Sequence, residues 1–326
     1  MKVNKKMYDH ALLSALKNAD NFMLCAHVNP DGDAIGSMLA TARLLEKLGK
    51  NVTMVCQDPV PKKQLCLPGA ENVFPPEWVQ DQPFEAAIAL DISTEGRMGS
   101  VYELYRRIPL TFQIDHHPGN TCFARYNFVD DMAGATGELI VALYEELGVP
   151  LDREAAFQLY CAISSDTVNF IAKSVRPYTF DCMEKLMEAG LDLAEAARVL
   201  FITKSRAYTA VLGKALSSMK YFAGGAATCM HLTRQDKESC GALDDDLHGI
   251  VNYGLNIDGV RMTFMADEDE KGWKVSLRAL PGENAAEVAA VFGGGGHVLA
   301  AGCVIPGEYE SVERRLMAEI EKALHP

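Results

Sequence analysis

Phe22-Met23-Leu24-Cys25-Ala26-His27-Val28-Asn29-Pro30-Asp31-Gly32-Asp33-Ala34-Ile35-Gly36-Ser37 is the stretch from which the fold can be read. Apolar residues 22–26 form a strand candidate that ends at His27. A loop with Pro30, Gly32 and two aspartates follows, and small and apolar residues then open a helix from about Ala34 to Leu48. The unit recurs. Asn51–Cys56 and Ala86–Leu90 read as strands, the latter bounded by Asp91, and Leu110–Ile114 reads as another, bounded by Asp115. Gly137–Leu147 and Arg153–Ser164 carry helical periodicity. Strands alternating with helices predict an α/β fold with a doubly wound parallel sheet covered on both faces. Ligands of open α/β sheets bind beyond the carboxyl ends of the strands. His27, Asp91 and Asp115-His116-His117 therefore belong on one sheet edge, although they are far apart in the chain.

Downstream the pattern changes. Pro177 to about Ser217 is helical, with 201–218 as a connecting helix. Thr228–Leu232, Val260–Ala266 and Trp273–Ala279 read as strands, and Asp267–Gly272 as a charged hairpin turn. Ala285–Val291 and Tyr309–Leu324 read as helices. The expected division is a domain over 1–200, the connecting helix, and a smaller α+β domain over 219–326, with a cleft between the two domains. A length of 326 residues suits two domains at roughly 150 residues each.

Composition excludes several classes. The 31 basic and 44 acidic residues leave a net charge of −13, which disfavours long duplex nucleic acid. No apolar run approaches the roughly 18 residues of a membrane span. Residues 1–20 mix lysines and aspartates with apolar residues, as an amphipathic helix does and a signal peptide does not. Nine cysteines, an odd count without zinc-ribbon or redox spacing, are expected to be reduced thiols in a cytoplasmic protein.

Five short motifs carry the chemistry. His27 with Asp31 and Asp33 suits a divalent cation, although Asp33 also reads as the cap of the helix that follows. Asp91 read alone is a strand-end cap, and gains meaning only beside His27. Adjacent His116 and His117 after Asp115 are uncommon outside metal sites, the alternative being a polar turn before Pro118. Asp166, in Ser164-Ser165-Asp166-Thr167, also serves as a helix breaker. Gly293-Gly294-Gly295-Gly296-His297 lies between a helix and a strand, where a flexible linker has no purpose. Such glycines clear space, and their N–H groups can form an anion-binding nest.

Taken in order, these motifs resemble the DHH phosphoesterase superfamily in its DHH–DHHA1 branch, and most of all its nano-RNase-like members, bifunctional oligoribonuclease/pAp phosphatases. His27-x-Asn29-Pro30-Asp31-Gly32-Asp33 matches the first motif, Asp91 the second, Asp115-His116-His117 the third, Asp166 the fourth and Gly293–His297 the glycine motif of DHHA1. The resemblance implies two Mn²⁺ ions per chain, with Mg²⁺ or Co²⁺ as substitutes. His27, Asp31 and Asp91 would hold one ion, and Asp33, Asp91, His116 and Asp166 the other, with Asp91 bridging. His117 and Asp115 would join Asp91 in catalysis, with His117 facing the substrate phosphate. Arg278, Gly293, Gly294, Gly295, Gly296 and His297 would bind a 5′-phosphate. Bound cations would also reconcile an acidic protein with an anionic substrate. Implied substrates are short RNA oligonucleotides, linear dinucleotides and pAp, with no membrane partner and with a homodimer left open. The chain departs from many relatives, which carry Gly after the Asp-Thr pair and Arg three residues on. Here these positions are Val168 and Ile171, with Lys173 and Arg176 as nearby cations. Cyclic-dinucleotide hydrolysis is the nearest competing activity, and a non-catalytic nucleotide-binding protein the competing class. An inorganic pyrophosphatase would lack the glycine motif, and long-strand exonucleases are larger.

Overall fold

Strand β1 (Asn21–Cys25) sends Phe22 and Leu24 to one face of its sheet and Met23 and Cys25 to the other. Both faces are therefore apolar and both are covered, which is why the strand reads as an unbroken hydrophobic run. The computed structural model describes residues 8–324, and the chain divides into two compact units, Met1–Thr203 and Lys204–Pro326.

The first unit contains α1 (His10–Asn18), β1, α2 (Gly32–Lys47), β2 (Asn51–Val55), β3 (Val73–Phe74), β4 (Ala86–Leu90), α3 (Tyr102–Tyr105), β5 (Leu110–Asp115) and β6 (Tyr126–Val129). Helices α4 (Thr136–Leu147), α5 (Arg153–Asp166), α6 (Pro177–Glu188) and α7 (Leu193–Ala197) follow. All strand pairings are parallel, in the order β3-β2-β1-β4-β5-β6. The order reverses direction at β1 and β4, which are neighbours. That junction is the switch point where open α/β sheets bind ligands. Of the expected amphipathic helix over 1–20, α1 buries Leu12 and Leu16, while residues 1–7 lie outside the described residues.

Several boundaries differ from the expectation. Helix α2 starts at Gly32 because Asp31 is its cap, accepting the amides of Asp33 (3.0 Å) and Ala34 (3.1 Å). Asp33 is thus not a cap but lies inside the first helical turn. Helix α5 continues to Asp166. Strands β3 and β6 were not foreseen. Helices α2 and α5 approach closely, since a Cβ on Gly36 would lie 2.4 Å from the carbonyl oxygen of Gln158.

The second unit contains α8 (Arg206–Ser217), β7 (Lys220–Phe222), β8 (Ala227–Leu232), α9 (Arg234–Cys240), α10 (Val251–Leu255), β9 (Met262–Asp269), β10 (Gly272–Ala279), α11 (Ala285–Val291), β11 (Gly295–His297), β12 (Ala300–Ile305) and α12 (Tyr309–Leu324). Its sheet runs β11-β12-β10-β9-β8-β7, antiparallel except for β8–β9. Helix α12 buries Val312, Leu316, Ile320 and Leu324, one stripe at four-residue spacing. The expected connecting helix over 201–218 is instead a core element of this unit. Ser205 caps α8, whose Val211 and Ala215 are buried with Met230 and Leu232. The hairpin turn shrinks to Glu270 and Lys271, because both strands run on through the charged residues. No helix among the described residues is long and apolar enough to cross a membrane.

Asp152 ties α5 to α2. It caps α5 through the Ala155 amide (3.0 Å), and accepts Arg43 Nε (2.7 Å) and Lys47 Nζ (2.7 Å). Although partial burial opposes ionisation, these donors hold its carboxyl well below the usual range. The pair is partly exposed, so screening limits its worth. Asp152→Ala is expected to destabilise the protein by about 1–2 kcal/mol, most of it from the lost cap. Because the folded pKa is depressed, this stability is present above the unfolded value of about 3.9 and is lost as pH falls below it. Thermal melts of wild type and variant should therefore differ at pH 7 and converge only below about pH 4.

Candidate metal centre

Three groups of side chains converge at the carboxyl ends of β1, β4 and β5. They are His27 with Asp31 and Asp91, Asp91 with His116 and His117, and Asp33 with His116 and Asp166. Within each group the ligand atoms lie within 4.8 Å of one another. His27 follows β1, Asp91 follows β4, and His116 and His117 follow β5. Asp31 and Asp33 open α2, and Asp166 closes α5. Asp91 belongs to two of the groups. It is buried, and its backbone lies in the left-handed region at φ 60°, an uncommon and costly conformation for a non-glycine residue.

Asp33 has no exposed surface. Its Oδ2 accepts the Thr136 amide (2.6 Å), and its Oδ1 accepts the Gly137 amide (3.0 Å) and Ser37 Oγ (2.9 Å). The two amides belong to the first turn of α4, so a helix N-terminus faces the carboxylate. Thr136 also donates its hydroxyl to Asp91 Oδ1 (2.9 Å) and so links the two carboxylates. Burial, together with Asp91 and Asp166, still pushes the Asp33 carboxyl well up. Burial and the neighbouring Asp91 and Asp31 raise Asp166 as well, against the lowering effect of His116.

The imidazoles are oriented from behind. His116 Nδ1 lies 3.2 Å from the Ala133 carbonyl, which can only accept, so Nδ1 carries the proton. Its Nε2 is buried without a hydrogen-bond partner and faces Asp166 (3.1 Å), Asp33 (3.7 Å) and Asp91 (3.7 Å). His27 Nδ1 likewise donates to the Val28 carbonyl (2.8 Å), leaving Nε2 3.5 Å from Asp91 and 3.8 Å from Asp31. Arg97 Nη2, 3.1 Å from the same Nδ1, lies alongside as a cation and not as its donor. His117 differs. Its Nδ1 donates to buried Asp115 (2.8 Å), which also accepts Asn120 Nδ2. Burial disfavours charge on His27 and His116, but the carboxylates outweigh it and raise both to about 10. The Asp115 hydrogen bond raises His117.

An orphaned, tautomer-fixed imidazole nitrogen amid repelling carboxylates fits a divalent cation. The donors are all nitrogen and oxygen, which suits manganese or magnesium better than a thiolate-rich zinc site. The supporting residues Ser37, Thr136, Gly137, Asn120 and the Ala133 carbonyl were missed from sequence. Only Gly134-Ala135-Thr136-Gly137, a small-residue helix start, hinted at them.

In the second unit the glycine run is largely structural. The amides of Gly293 and Gly294 close α11 on the carbonyls of Ala290 (3.0 Å) and Ala289 (2.9 Å), so they are not free nest donors. A Cβ on Gly294 would lie 2.2 Å from the Gly302 carbonyl oxygen. Gly295, Gly296 and exposed His297 form edge strand β11 against β12. Arg278 is half-buried on β10 and bonds the Leu277 carbonyl (2.8 Å). No carboxylate pairs with it among the described residues, and burial lowers its pKa. In the departure region, position 168 has φ 49°, which glycine adopts freely and valine does not. Arg176 is engaged with Glu138 (3.5 Å), whereas Lys173 is exposed.

Residues 21–163 match the DHH family N-terminal domain, and residues 238–325 match the DHHA1 domain. The bifunctional oligoribonuclease and PAP phosphatase NrnA of Thermus thermophilus is 33% identical over 310 residues, covering 92% of this chain and 90% of that protein. A manganese-dependent inorganic pyrophosphatase of Methanothrix thermoacetophila is 27% identical over 175 residues, covering 52% of this chain and 54% of that protein. The crystal structure of an exopolyphosphatase-related protein from Bacteroides fragilis superposes with a TM-score of 0.89 at 25% identity, covering 99% of this chain and 98% of that one.

Cation binding should be visible without turnover. At about 100 times Kd, Mn²⁺ is expected to raise Tm by about 5–10 °C. Asp166→Asn should match or exceed the wild-type Tm without cation, because a repelled carboxylate is gone, and should lose the cation-induced rise. A full rise in that variant would exclude Asp166 as a ligand. The raised imidazoles stabilise the cation-free protein below about pH 6.5, and this contribution is lost as pH climbs through about 10. Binding must expel these protons, so cation affinity should increase from pH 6 to 8.5 with proton release in calorimetry.

Proposed function

The chain belongs to the DHH–DHHA1 family of metal-dependent phosphoesterases, and from that premise we propose that it is a Mn²⁺-dependent phosphodiesterase. Its substrates are short oligoribonucleotides and linear dinucleotides, cleaved to nucleoside 5′-monophosphates, and it removes the 3′-phosphate of pAp. Asp91 carries this proposal, because it belongs at once to two ligand groups at the switch point. The relationship to a bifunctional oligoribonuclease and PAP phosphatase across both family domains supports the substrate class.

His27, Asp31 and Asp91 hold one ion, and Asp33, Asp91, His116 and Asp166 the other. The cations supply Lewis acidity toward water and phosphoryl oxygens and offset the carboxylate charge. Thr136 and the α4 amides keep Asp33 and Asp91 fixed. Asp115 accepts a hydrogen bond from His117 Nδ1–H and favours the imidazolium, so the Nε2–H of that cation can donate to a phosphoryl oxygen in a charge-assisted hydrogen bond. In the second unit Gly295, Gly296, His297 and Arg278 bind a 5′-phosphate. Arg278 suits this role because its guanidinium has no anionic partner among the described residues. The N–H groups of Gly293 and Gly294 are committed to α11 and shape the hairpin instead.

Asp91→Asn is the cleaner variant, since asparagine tolerates a positive φ better than alanine. Its turnover of pApA should fall by orders of magnitude with an unchanged far-UV spectrum. Near-wild-type turnover would refute the shared-ligand assignment. Gly295→Ala meets nothing within 4 Å and should raise KM for 5′-phosphorylated dinucleotides while leaving Mn²⁺ affinity unchanged.

Product analysis with pAp, pApA, a five-mer, a 24-mer and cyclic di-AMP tests the substrate range. A short substrate presents few phosphates to a chain of net charge −13, whereas the added phosphates of longer strands are repelled by its acidic surface. We expect kcat/KM to peak at two to about four nucleotides and to favour 5′-phosphate over 5′-hydroxyl ends. Equal rates on the dinucleotide and the 24-mer would reject this, and preference for cyclic di-AMP would replace the substrate assignment.

A further inference from the structure

Three consecutive non-glycine residues after Asp166-Thr167 lie in the left-handed region: Val168 (φ 49°), Asn169 (φ 54°) and Phe170 (φ 69°). Asparagine is at ease there, but a β-branched residue is an outlier. The turn is tightly determined. Buried Thr167 accepts the amides of Ile171 (3.0 Å) and Ala172 (2.9 Å), and Asn169 donates to the Ser164 carbonyl (2.7 Å). Phe170 anchors it between Tyr160 and Phe180, with ring centroids 6.3 and 6.0 Å away. The strain is therefore held in place by its surroundings.

Phe170 repays its share of the strain in packing, but Val168 does not. Val168 is 59% exposed and Ile171 81% exposed, so two large apolar side chains stand in solvent on a strained turn. Their position is specific. Val168 is two residues beyond Asp166, hence within at most about 7 Å of it along the chain, and Asp166 faces His116 at 3.1 Å. The neighbouring segment, which follows Asp130 and Asp131, adds one further apolar side chain. A Cβ on Gly134 would lie 3.2 Å from Thr167, and Met132, two residues earlier, is also exposed.

We propose that Val168 and Ile171 form an apolar rest for the nucleobase attached next to the scissile phosphate, and so determine specificity. The inference builds on the function proposed above. A phosphate bound at the metal centre carries its nucleoside a few ångströms away, and a heterocycle is the apolar part of such a substrate. An inorganic polyphosphate has nothing to place there, so the rest favours nucleotides over purely inorganic chains. These are positioning residues, since neither reaches the reacting atoms.

The test uses the full-length protein with Mn²⁺, as wild type, Val168→Gly and Ile171→Ser. Both variants should raise KM for pApA by about tenfold with kcat within about twofold. The inhibition constant of inorganic phosphate, which has no base, should not move. Val168→Gly should also raise Tm by about 2–4 °C, because glycine relieves the strain. Asn169→Gly serves as control and should leave KM unchanged, since it alters the turn without removing an apolar contact. Unchanged KM in Val168→Gly and Ile171→Ser would overturn the proposal, as would a fall in kcat alone or a parallel loss of phosphate inhibition. If wild type turned over no nucleotide, the function itself would fail, a result distinct from these.

Discussion

The burial of the Asp33 carboxyl is the constraint on which the first unit depends. A carboxylate without exposed surface is tolerable only where donors replace water. Here the first amides of α4 and the hydroxyl of Ser37 do so, and that requirement fixes much else. Helix α4 must begin at Thr136 and point its N-terminus at the end of β1. Helix α2 must begin early enough, at Asp31, to place Asp33 in its first turn. Helix α5 must come close enough to deliver Asp166, which the bare backbone of Gly36 allows. The outcome is a knot of carboxylates that repel one another, held by the fold in an arrangement that suits a divalent cation.

Much of this was legible in the sequence because strand ends are legible. A buried parallel strand is an apolar run, and the first polar residue after it marks the sheet edge. His27, Asp91 and Asp115-His116-His117 are all such residues. What remained hidden has physical causes. Strand β3 is two residues long, and Tyr126–Val129 is only partly buried, so neither has a periodicity to detect. The choice between Asp31 and Asp33 as cap depends on backbone angles that a Pro-Asp-Gly-Asp string leaves open. Helix α8 was read as a connector because its apolar stripe does not reveal which unit it covers. The partners behind these side chains, the Thr136 hydroxyl at the start of α4 and the Ala133 carbonyl just before it, belong to a stretch without any strong sequence signal.

The glycine run and Val168 carry different lessons. The glycine run looked like a place cleared for phosphate, yet Gly294 is needed to let β12 approach, and the amides of Gly293 and Gly294 finish a helix. Only the edge strand is left to meet a ligand. Val168 shows the converse. There the family's glycine is absent although the backbone still adopts the glycine conformation, so the side chain is retained against the local preference.

The side chains of the candidate centre are scattered along the chain, from the end of β1 to the end of α5, and no single segment holds a complete set. This separation bears on synthesis. Asp166 leaves the ribosome long after His27, and Asp91 cannot meet either imidazole until β1, β4 and β5 lie side by side. A nascent or half-folded chain therefore has scattered carboxylates with weak cation affinity and no means of attacking a phosphodiester. A hydrolytic centre that exists only in the finished fold withholds its chemistry until the whole first unit is in place.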